Sequence, residues 1–416
     1  MSQPAIPRAS VLTFEQARAI VEREAAKVRP GDSEPVELLL ARGRVLAETV
    51  VADRDFPPFP RAARDGYAVR AADVSQVPAL LKFVGEIRAG GPDAGIAVNA
   101  GEAAEIMTGA PLPPGADAVV MVEYTALRGD QIEIQRSVAS GKNFVPVGAE
   151  AKRGAALLAR GTRLTPAAIA IAGSCGCHEL RVFRRPQVAI LSTGDELVDV
   201  AAEPGPNQIR NSNSYSLAAQ VQQAGGDPVV LPVAPDEPRQ LRKLMQEGLA
   251  TDLLLLSGGV SMGKYDLVEP VLGEMGAEFF FTGAAIQPGK PIVFGAAPPG
   301  CGAHPTYFFG LPGNPVSTMV CFELFARTML EALAGVSARK LVFVQARLTR
   351  DVKVKTGLTR FLPAIFGGGH ERVEVELVKW QGSGDMAATA RANCYLVVPP
   401  DRDVLKAGET VSVLLQ

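Results

Sequence analysis

The sequence predicts a multidomain protein of mixed α/β and β structure, with a central three-layer α/β/α domain and a mostly parallel sheet. The chain has 416 residues, which is too long for one compact core and indicates two to four domains. Strand-like and helix-like segments alternate over residues 186–334, a pattern typical of a parallel sheet covered by helices on both faces. Short β-like segments dominate residues 53–141 and the chain after residue 335.

Composition limits the class of protein. Hydrophobic residues make up 47% and charged residues 21%, which is ordinary for a globular chain. The formal net charge is -2, so nothing attracts nucleic acid over the whole surface and an anionic ligand needs a local site. No apolar run approaches the roughly 18 residues of a membrane span, and the N-terminus lacks the layout of a signal peptide. We therefore expect no membrane association and a cytoplasmic location.

The cysteines are few and scattered, which fits a reducing compartment. We interpret them as small buried residues; the alternative, a metal site at Cys175, Cys177 and His178, lacks a second ligand cluster nearby. The five cysteines are Cys175, Cys177, Cys301, Cys321 and Cys394.

The chain before the central domain is predicted to be helical on both sides of a β-rich piece. A helix is predicted from Thr13 to Val28, because Thr13 and Gln16 form a capping box and apolar residues recur at helical spacing. Prolines 57, 58 and 60 prevent regular structure there. Short strands are predicted at 80–87, 118–124 and 131–134, and a helix returns at 165–172. We interpret the β-rich piece as an insertion into a helical domain.

The central and C-terminal segments contain clear strand signals. Strands are predicted at 188–191, 229–233, 253–256, 292–294 and 307–309. A helix at 213–224 is predicted to stop at Gly225, and Asn314 with Pro315 predicts another helix start. After residue 336, alternating Val and Glu at 373–377 and apolar runs at 395–398 and 411–415 predict a small closed β domain.

Three predicted strands of the central sheet end in glycine-bearing loops. Ligands bind beyond the carboxyl ends of parallel strands, and glycine lets backbone N–H groups approach an anion. Each loop alone could be only a tight strand-to-helix turn, whereas three on one sheet predict a site for a phosphate- or pterin-sized ligand. The loops are Ser192-Thr193-Gly194, Ser257-Gly258-Gly259-Val260-Ser261 and Leu311-Pro312-Gly313-Asn314.

Carboxylates follow the same strands. Asp195 and Glu196 come after the first loop, Asp236 after the strand at 229–233, and Asp266 after the second loop. Because several carboxylates around one crevice repel each other without a cation, they predict a Mg²⁺ site, with helix capping as the alternative for Asp236. The three histidines show no paired arrangement, so neither a serine–histidine–aspartate nor a cysteine–histidine site is predicted.

Seven strings in one order resemble the MoeA family, which includes the E domain of gephyrin, and the match extends over nearly the whole chain. The strings are Asp65-Gly66-Tyr67-Ala68-Val69, Met107-Thr108-Gly109-Ala110-Pro111, Gly115-Ala116-Asp117-Ala118-Val119-Val120, Ser192-Thr193-Gly194-Asp195-Glu196-Leu197, Ser257-Gly258-Gly259-Val260-Ser261, Pro288-Gly289-Lys290-Pro291 and Leu311-Pro312-Gly313-Asn314-Pro315-Val316-Ser317.

The resemblance implies a homodimer of four-domain subunits. Residues 8–52 and 143–182 would form a split helical domain, 53–142 a β-rich insertion, 183–334 a molybdopterin-binding α/β domain and 335–416 a C-terminal β-barrel-like domain. It also implies the reaction: molybdenum passes from molybdate to adenylated molybdopterin with Mg²⁺, and AMP leaves. The cleft would lie between the central domain of one subunit and the β-rich insertion of the other. The molybdopterin adenylyltransferase is implied as a partner protein.

Carried over position by position, the resemblance implies roles for sixteen residues. The expected catalytic residues are Asp65, Glu196, Asp236 and Asp266, of which Glu196, Asp236 and Asp266 are also expected metal ligands. The expected substrate-binding residues are Thr108, Thr193, Gly194, Ser257, Gly258, Gly259, Ser261, Lys290, Pro312, Gly313, Asn314 and Ser383.

The sequence departs from the family at several basic positions. Basic residues are usual where this chain has Val145, Gly283, Gln287, Leu358 and Pro363. Arg61, Arg64, Lys264 and Arg360 are candidates to replace that charge. Two hypotheses stand: an active molybdenumtransferase with a rearranged anion pocket, or a degenerate paralogue that binds molybdopterin or a partner without catalysis. An adenylyltransferase is a third reading, supported only by the central domain.

Overall fold

The computed structural model describes residues 11–91, 95–259, 267–298, 305–337 and 340–415. The predicted site residues Ser261 and Asp266 and the candidate cation Lys264 lie outside these ranges. Within them, none of the helices combines the length and the apolar character that crossing a membrane requires.

The first helix, Phe14–Ala25, begins with the predicted capping box. Gln16 N donates to Thr13 Oγ1 at 3.2 Å, and Thr13 N donates to Gln16 Oε1 at 2.9 Å. Its apolar face packs on both following regions: the Phe14 ring lies 6.0 Å from that of Phe325 in the central domain and 5.1 Å from that of Phe361 in the C-terminal region. The helix therefore contributes to the central core, and the split helical part has less helix of its own than the sequence led us to expect.

The chain on the two sides of the β-rich stretch pairs with itself. Strand Ser33–Glu37 is antiparallel to Glu179–Phe183, and Val50–Val51 to Ala156–Leu158. Helix Pro166–Ser174 begins at the cap Thr165. These pairings support an insertion, while the residue boundaries of the four domains stay predictions. The stretch between them forms a six-stranded sheet from Gly66–Val69, Ala79–Ile87, Glu102–Ile106, Ala118–Met121, Thr125–Arg128 and Gln131–Ile134, beside the pair Arg61–Ala62 and Phe144–Val145.

The central sheet has six strands, four of them parallel, as predicted. Residues alternate between its faces: Leu253 and Leu255 join one apolar cluster, and Leu254 and Leu256 join the other. Each cluster is covered by helices, which gives the three-layer α/β/α arrangement. In spatial order the strands are Asp227–Val230, Gln187–Ser192, Leu253–Ser257, Thr306–Leu311, Val293–Ala297 and Glu278–Phe281. The first four are joined by parallel pairings, and Val293–Ala297 is antiparallel to both of its neighbours. The α-helices are Asn213–Ala224, Pro238–Leu249, Val268–Glu274, Pro315–Cys321 and Arg327–Leu333, with a π-helical turn at Phe322–Ala326.

The C-terminal region is a closed five-stranded barrel, as the sequence predicted. Its strands are Phe343–Leu348, Thr359–Gly368, Val373–Leu377, Cys394–Val398 and Thr410–Leu415. Strand Ile286–Gln287 of the central region pairs with Thr359–Gly368, so the two regions share a sheet edge. Helix Met386–Arg391 and the pair Val352–Lys353 and Val404–Leu405 complete the region.

Candidate active site

A cleft of about 430 Å³ lies at the carboxyl ends of three adjacent parallel strands. These are the strands that precede the three glycine loops, so the sheet order brings the loops together as expected. The cleft is lined by Thr193, Gly194, Glu196, Leu197, Ile209, Arg210, Asn211, Ser212, Asn213, Asp236, Ser257, Gly258, Gly259, Gly313, Asn314 and Pro315.

The first two loops touch each other, and two glycines make the contact feasible. Gly194 has a φ of 142°, and a Cβ there would lie 2.5 Å from Oε2 of Glu196. Gly258 has a φ of 92°, and a Cβ there would lie 2.7 Å from the carbonyl oxygen of Thr193. The absence of side chains therefore lets the Glu196 carboxylate fold back over its own loop and lets the two loops close on each other.

Two of the predicted carboxylates, Glu196 and Asp236, line this cleft and are exposed. The helix that follows Asp236 is capped by Glu237, whose carboxylate accepts from the backbone N–H groups of Arg239 and Gln240. Capping of that helix therefore does not need Asp236. Within the described ranges, no group of three histidine, cysteine, aspartate or glutamate side chains could hold a metal, and the third predicted ligand, Asp266, lies outside them.

Residues 210–213 also line the cleft, and the sequence reasoning missed them. Asn213 Nδ2 donates to Ser257 Oγ at 2.8 Å and to the Gly313 carbonyl oxygen at 2.7 Å, so it joins two of the glycine loops. Asn211 Oδ1 accepts from Ser192 Oγ at 3.1 Å. The polar run Asn211-Ser212-Asn213-Ser214 at a predicted helix start was the signal that could have found them.

The C-terminal region reaches the rim of the cleft through Ser383. Asn314 Nδ2 donates to Ser383 Oγ at 2.9 Å, and Val316 N donates to the Ser383 carbonyl oxygen at 3.1 Å. Asn314 is the predicted helix cap by position, but its side chain makes no capping bond. Pro312 and the exposed Lys290 are not among the residues that line the cleft.

Asp65 and Thr108 lie together on the β-rich sheet and do not line this cleft. The backbone N–H and the hydroxyl of Thr108 each donate to Asp65 Oδ1 at 2.7 Å. These two bonds lower the pKa of the Asp65 carboxyl below its ordinary value. Both residues are exposed, so the chain presents the predicted site residues in two separate places.

Two of the candidate replacement cations, Arg61 and Arg360, already donate hydrogen bonds to other side chains of the chain. Arg61 Nη2 donates to Glu150 Oε1 at 2.6 Å, which occupies this guanidinium within its own subunit. Arg360 is buried and donates to Gln287 Oε1 at 2.8 Å. Arg64 is exposed beside Asp65.

Comparison with known proteins decides the family. Residues 12–176 match the model of the MoeA N-terminal region (domain I and II). Residues 189–332 match a probable molybdopterin binding domain, and residues 345–416 match the MoeA C-terminal region (domain IV). The chain belongs to the MoeA family.

Similar proteins extend over nearly the same length. The molybdopterin molybdenumtransferase of Nostoc sp. is 36% identical over 92% of this chain and 88% of its own length. The enzyme of that name from Bacillus subtilis is 32% identical over 93% of this chain and 90% of its own. The crystal structure of the molybdopterin biosynthesis moeA protein from Pyrococcus horikoshii OT3 has a TM-score of 0.78 and 30% identity, covering 98% of this chain and all of that one. Fold and family therefore agree, and this MoeA-family chain is a transferase of molybdenum cofactor biosynthesis.

Proposed function

We propose that this MoeA-family protein transfers molybdenum from molybdate to adenylated molybdopterin and releases AMP. The observation that carries the proposal is the cleft, in which Glu196 and Asp236 stand among three glycine loops. The N–H groups of Thr193, Gly194 and Gly258 donate to backbone carbonyls, so the phosphate oxygens would meet the backbone of Gly259 and Gly313. Helix Asn213–Ala224 also begins at the cleft. A pair of carboxylates that line a cleft beside glycine loops suits a reaction in which a phosphate leaves.

The donor set fits Mg²⁺ as the metal. Glu196 and Asp236 are hard oxygen ligands, neither is taken by capping of the following helix, and Asp266 would complete the predicted set. When bound, Mg²⁺ neutralises the charge that develops on the leaving phosphate. Glu196 and Asp236 would hold the ion, and the backbone of Gly259 and Gly313 would orient the phosphate.

We also propose that the working form is a homodimer, in which Asp65 and Thr108 of one subunit complete the cleft of the other. Two observations support this: these residues lie outside the cleft in one subunit, and an unusual apolar face is exposed. Leu39 is 90% exposed and Leu40 is 70% exposed, next to the apolar helix Pro166–Ser174. A second copy of the chain would remove this surface from water.

The proposed setting is the cytoplasm, with the molybdopterin adenylyltransferase as the partner that supplies the adenylated substrate. The small-molecule substrates are the adenylated molybdopterin and molybdate, and the proposal needs neither nucleic acid nor a membrane. A nearly neutral net charge of -2 supports recognition of anions at one local cleft.

Two measurements test the function together. In the first, the gene is introduced into a host that lacks its own molybdenumtransferase, and nitrate reductase activity is the readout. In the second, the purified protein is assayed for AMP release with adenylated molybdopterin, Mg²⁺ and molybdate. We expect restored activity and molybdate-dependent release of AMP. Binding of the substrate without AMP release would instead support the non-catalytic paralogue.

A further inference from the structure

The side-chain amide of Asn213, one of the residues that line the cleft, is held in one orientation. Its Nδ2 donates to Ser257 Oγ at 2.8 Å and to the Gly313 carbonyl oxygen at 2.7 Å. A carbonyl oxygen can only accept, so the nitrogen of the amide must face Gly313, and the reversed orientation would set two oxygens against each other. The orientation of Asn213 is therefore determined by the chemistry of its partners.

This orientation leaves the amide oxygen without a partner. Asn213 Oδ1 and Thr193 Oγ1 are both buried side-chain oxygens that have no hydrogen bond within the described part of the chain, and both residues line the cleft. Leaving such an acceptor unsatisfied is unfavourable, because the oxygen has lost its water without gaining a donor. The Thr193 hydroxyl can donate or accept, whereas Asn213 Oδ1 can only accept, so Asn213 is the more selective of the two.

The ligand group that meets Asn213 Oδ1 must be a hydrogen-bond donor. Phosphate and molybdate oxygens are negative and would be repelled by an amide oxygen that shares the cleft with the carboxylates of Glu196 and Asp236. A pterin and an adenine both carry an amino group on a flat heterocycle. Such an amino donor matches an acceptor that is fixed in position.

We propose that Asn213 determines ligand specificity, because its Oδ1 accepts a hydrogen bond from an amino group of the substrate's heterocycle. The inference rests on the proposed function, since that function supplies a ligand with pterin and adenine rings. Asn213 is a binding residue in this account, and the carboxylates keep their role toward the metal.

The first test compares ligands on the wild-type protein. Pterin carries an amino group where lumazine carries a carbonyl oxygen, and AMP carries one where IMP carries a carbonyl oxygen. We expect one of the two amino ligands to bind at least about tenfold more tightly than its carbonyl counterpart, because a site built around a hydrogen bond rejects an analogue that lacks the donor. The pair that shows the preference identifies which ring Asn213 meets. Equal affinities within both pairs would overturn the proposal.

The second test uses Asn213→Ala and a matched control on the same helix. Gln220 Nε2 also donates to a backbone carbonyl, that of Met319 at 3.1 Å, yet Gln220 does not line the cleft. Among the residues that the structure describes, its buried Oε1 also has no hydrogen-bond partner. Asn213→Ala should reduce the preference to about one, and Gln220→Ala should leave it unchanged. If Asn213 only held the loops together, the affinity for both ligands would fall in parallel and the preference would remain.

A third measurement separates this proposal from the alternatives. If Asn213 were a metal ligand, Asn213→Ala would weaken Mg²⁺ binding in a titration without ligand and leave the amino-group preference intact, which would contradict the proposal. If Asn213→Ala does not fold, Asn213→Ser and the ligand comparison on the wild type still test the proposal. A wild type that discriminates between the ligands but releases no AMP would refute the proposed function and leave this inference standing.

Discussion

The guanidinium of Arg360 donates from Nε to Oε1 of Gln287 at 2.8 Å. The two residues are paired where strand Ile286–Gln287 runs parallel to Thr359–Gly368. Arg360 is 6% exposed, its other hydrogen bond goes to the Leu358 carbonyl oxygen at 3.2 Å, and within the described ranges no carboxylate pairs with it. Burial lowers the pKa of its guanidinium. Gln287, one of the positions where the resemblance implies a basic residue, therefore holds an amide that supports an arginine.

This pairing changes the expected effect of Gln287→Lys from a gain in affinity to a loss of stability. From the sequence alone, the added lysine should tighten substrate binding about tenfold. In the structure it would remove the acceptor of Arg360 and place a second cation beside it, so we expect Gln287→Lys to lower the free energy of unfolding by about 1–3 kcal/mol. Arg360→Glu added to Gln287→Lys should recover most of that loss. Denaturant unfolding of the four proteins in this double-mutant cycle gives the coupling, and simple additivity would show that the side chains do not interact.

The exposed Glu196 carboxylate should matter for turnover and little for stability. We expect Glu196→Gln to reduce AMP release by about a hundredfold or more, because the amide keeps the shape and loses the charge that holds a cation. The unfolding free energy should stay within about 0.5 kcal/mol of the wild type. Glu237→Ala is the control, since it removes the helix cap and should cost about 1 kcal/mol with little effect on turnover. Normal turnover of Glu196→Gln would show that Glu196 has no catalytic role.

The effect of Thr108 on the pKa of Asp65 should be measurable in a pH titration. Two hydrogen bonds from Thr108 hold the pKa of Asp65 below its ordinary value. A carboxyl with a depressed pKa in the folded state stabilises the fold fully above its unfolded pKa of about 3.9, and that contribution is lost as the pH falls through the folded pKa. Thr108→Val removes the hydroxyl donor, so the pKa of Asp65, followed by NMR, should move up toward its ordinary value. An unchanged pKa would mean that the backbone bond alone sets it.

Gly258 should tolerate a side chain much less well than a glycine in an open turn. Gly258→Ala combines a φ of 92° with a Cβ placed 2.7 Å from the Thr193 carbonyl oxygen. Gly129→Ala is the control, because Gly129 has a φ of 67° and nothing within 4 Å of the added Cβ. We expect Gly129→Ala to cost about 1–2 kcal/mol from the backbone conformation alone, and Gly258→Ala to cost clearly more. Equal losses in thermal unfolding would show that the loops can separate without cost.

The apolar face at Leu39 and Leu40 should govern assembly. We expect the wild type to have a mass of about twice 43.7 kDa in light scattering, and the double variant Leu39→Glu, Leu40→Glu to be a monomer, because charges would be trapped in the interface. Leu127→Glu is the control: Leu127 is 68% exposed on strand Thr125–Arg128, at the edge of the β-rich sheet. A monomeric wild type at micromolar concentration would count against a cleft shared between subunits.

The sequence by itself determined the features that depend on local patterns. The capping box at Thr13 and Gln16, the helix that ends before Gly225 and the strand at 253–257 follow from spacing over a few residues. The three glycine loops could also be placed, because they follow strands that the apolar runs identify. Local geometry repeats with a fixed period, and a sequence displays that period directly.

Only the tertiary structure decided which distant groups meet. Nothing in the spacing of Asn213 indicates that its amide joins the loops at Ser257 and Gly313, which are 44 and 100 residues away. The pairing of Gln287 with Arg360 depends on the register between strands of two regions, and a shift of one residue would separate them. Helix Phe14–Ala25 joins the central core because its apolar face fits there. Such contacts are set by strand order and packing of the whole chain, so they appear only once it has folded.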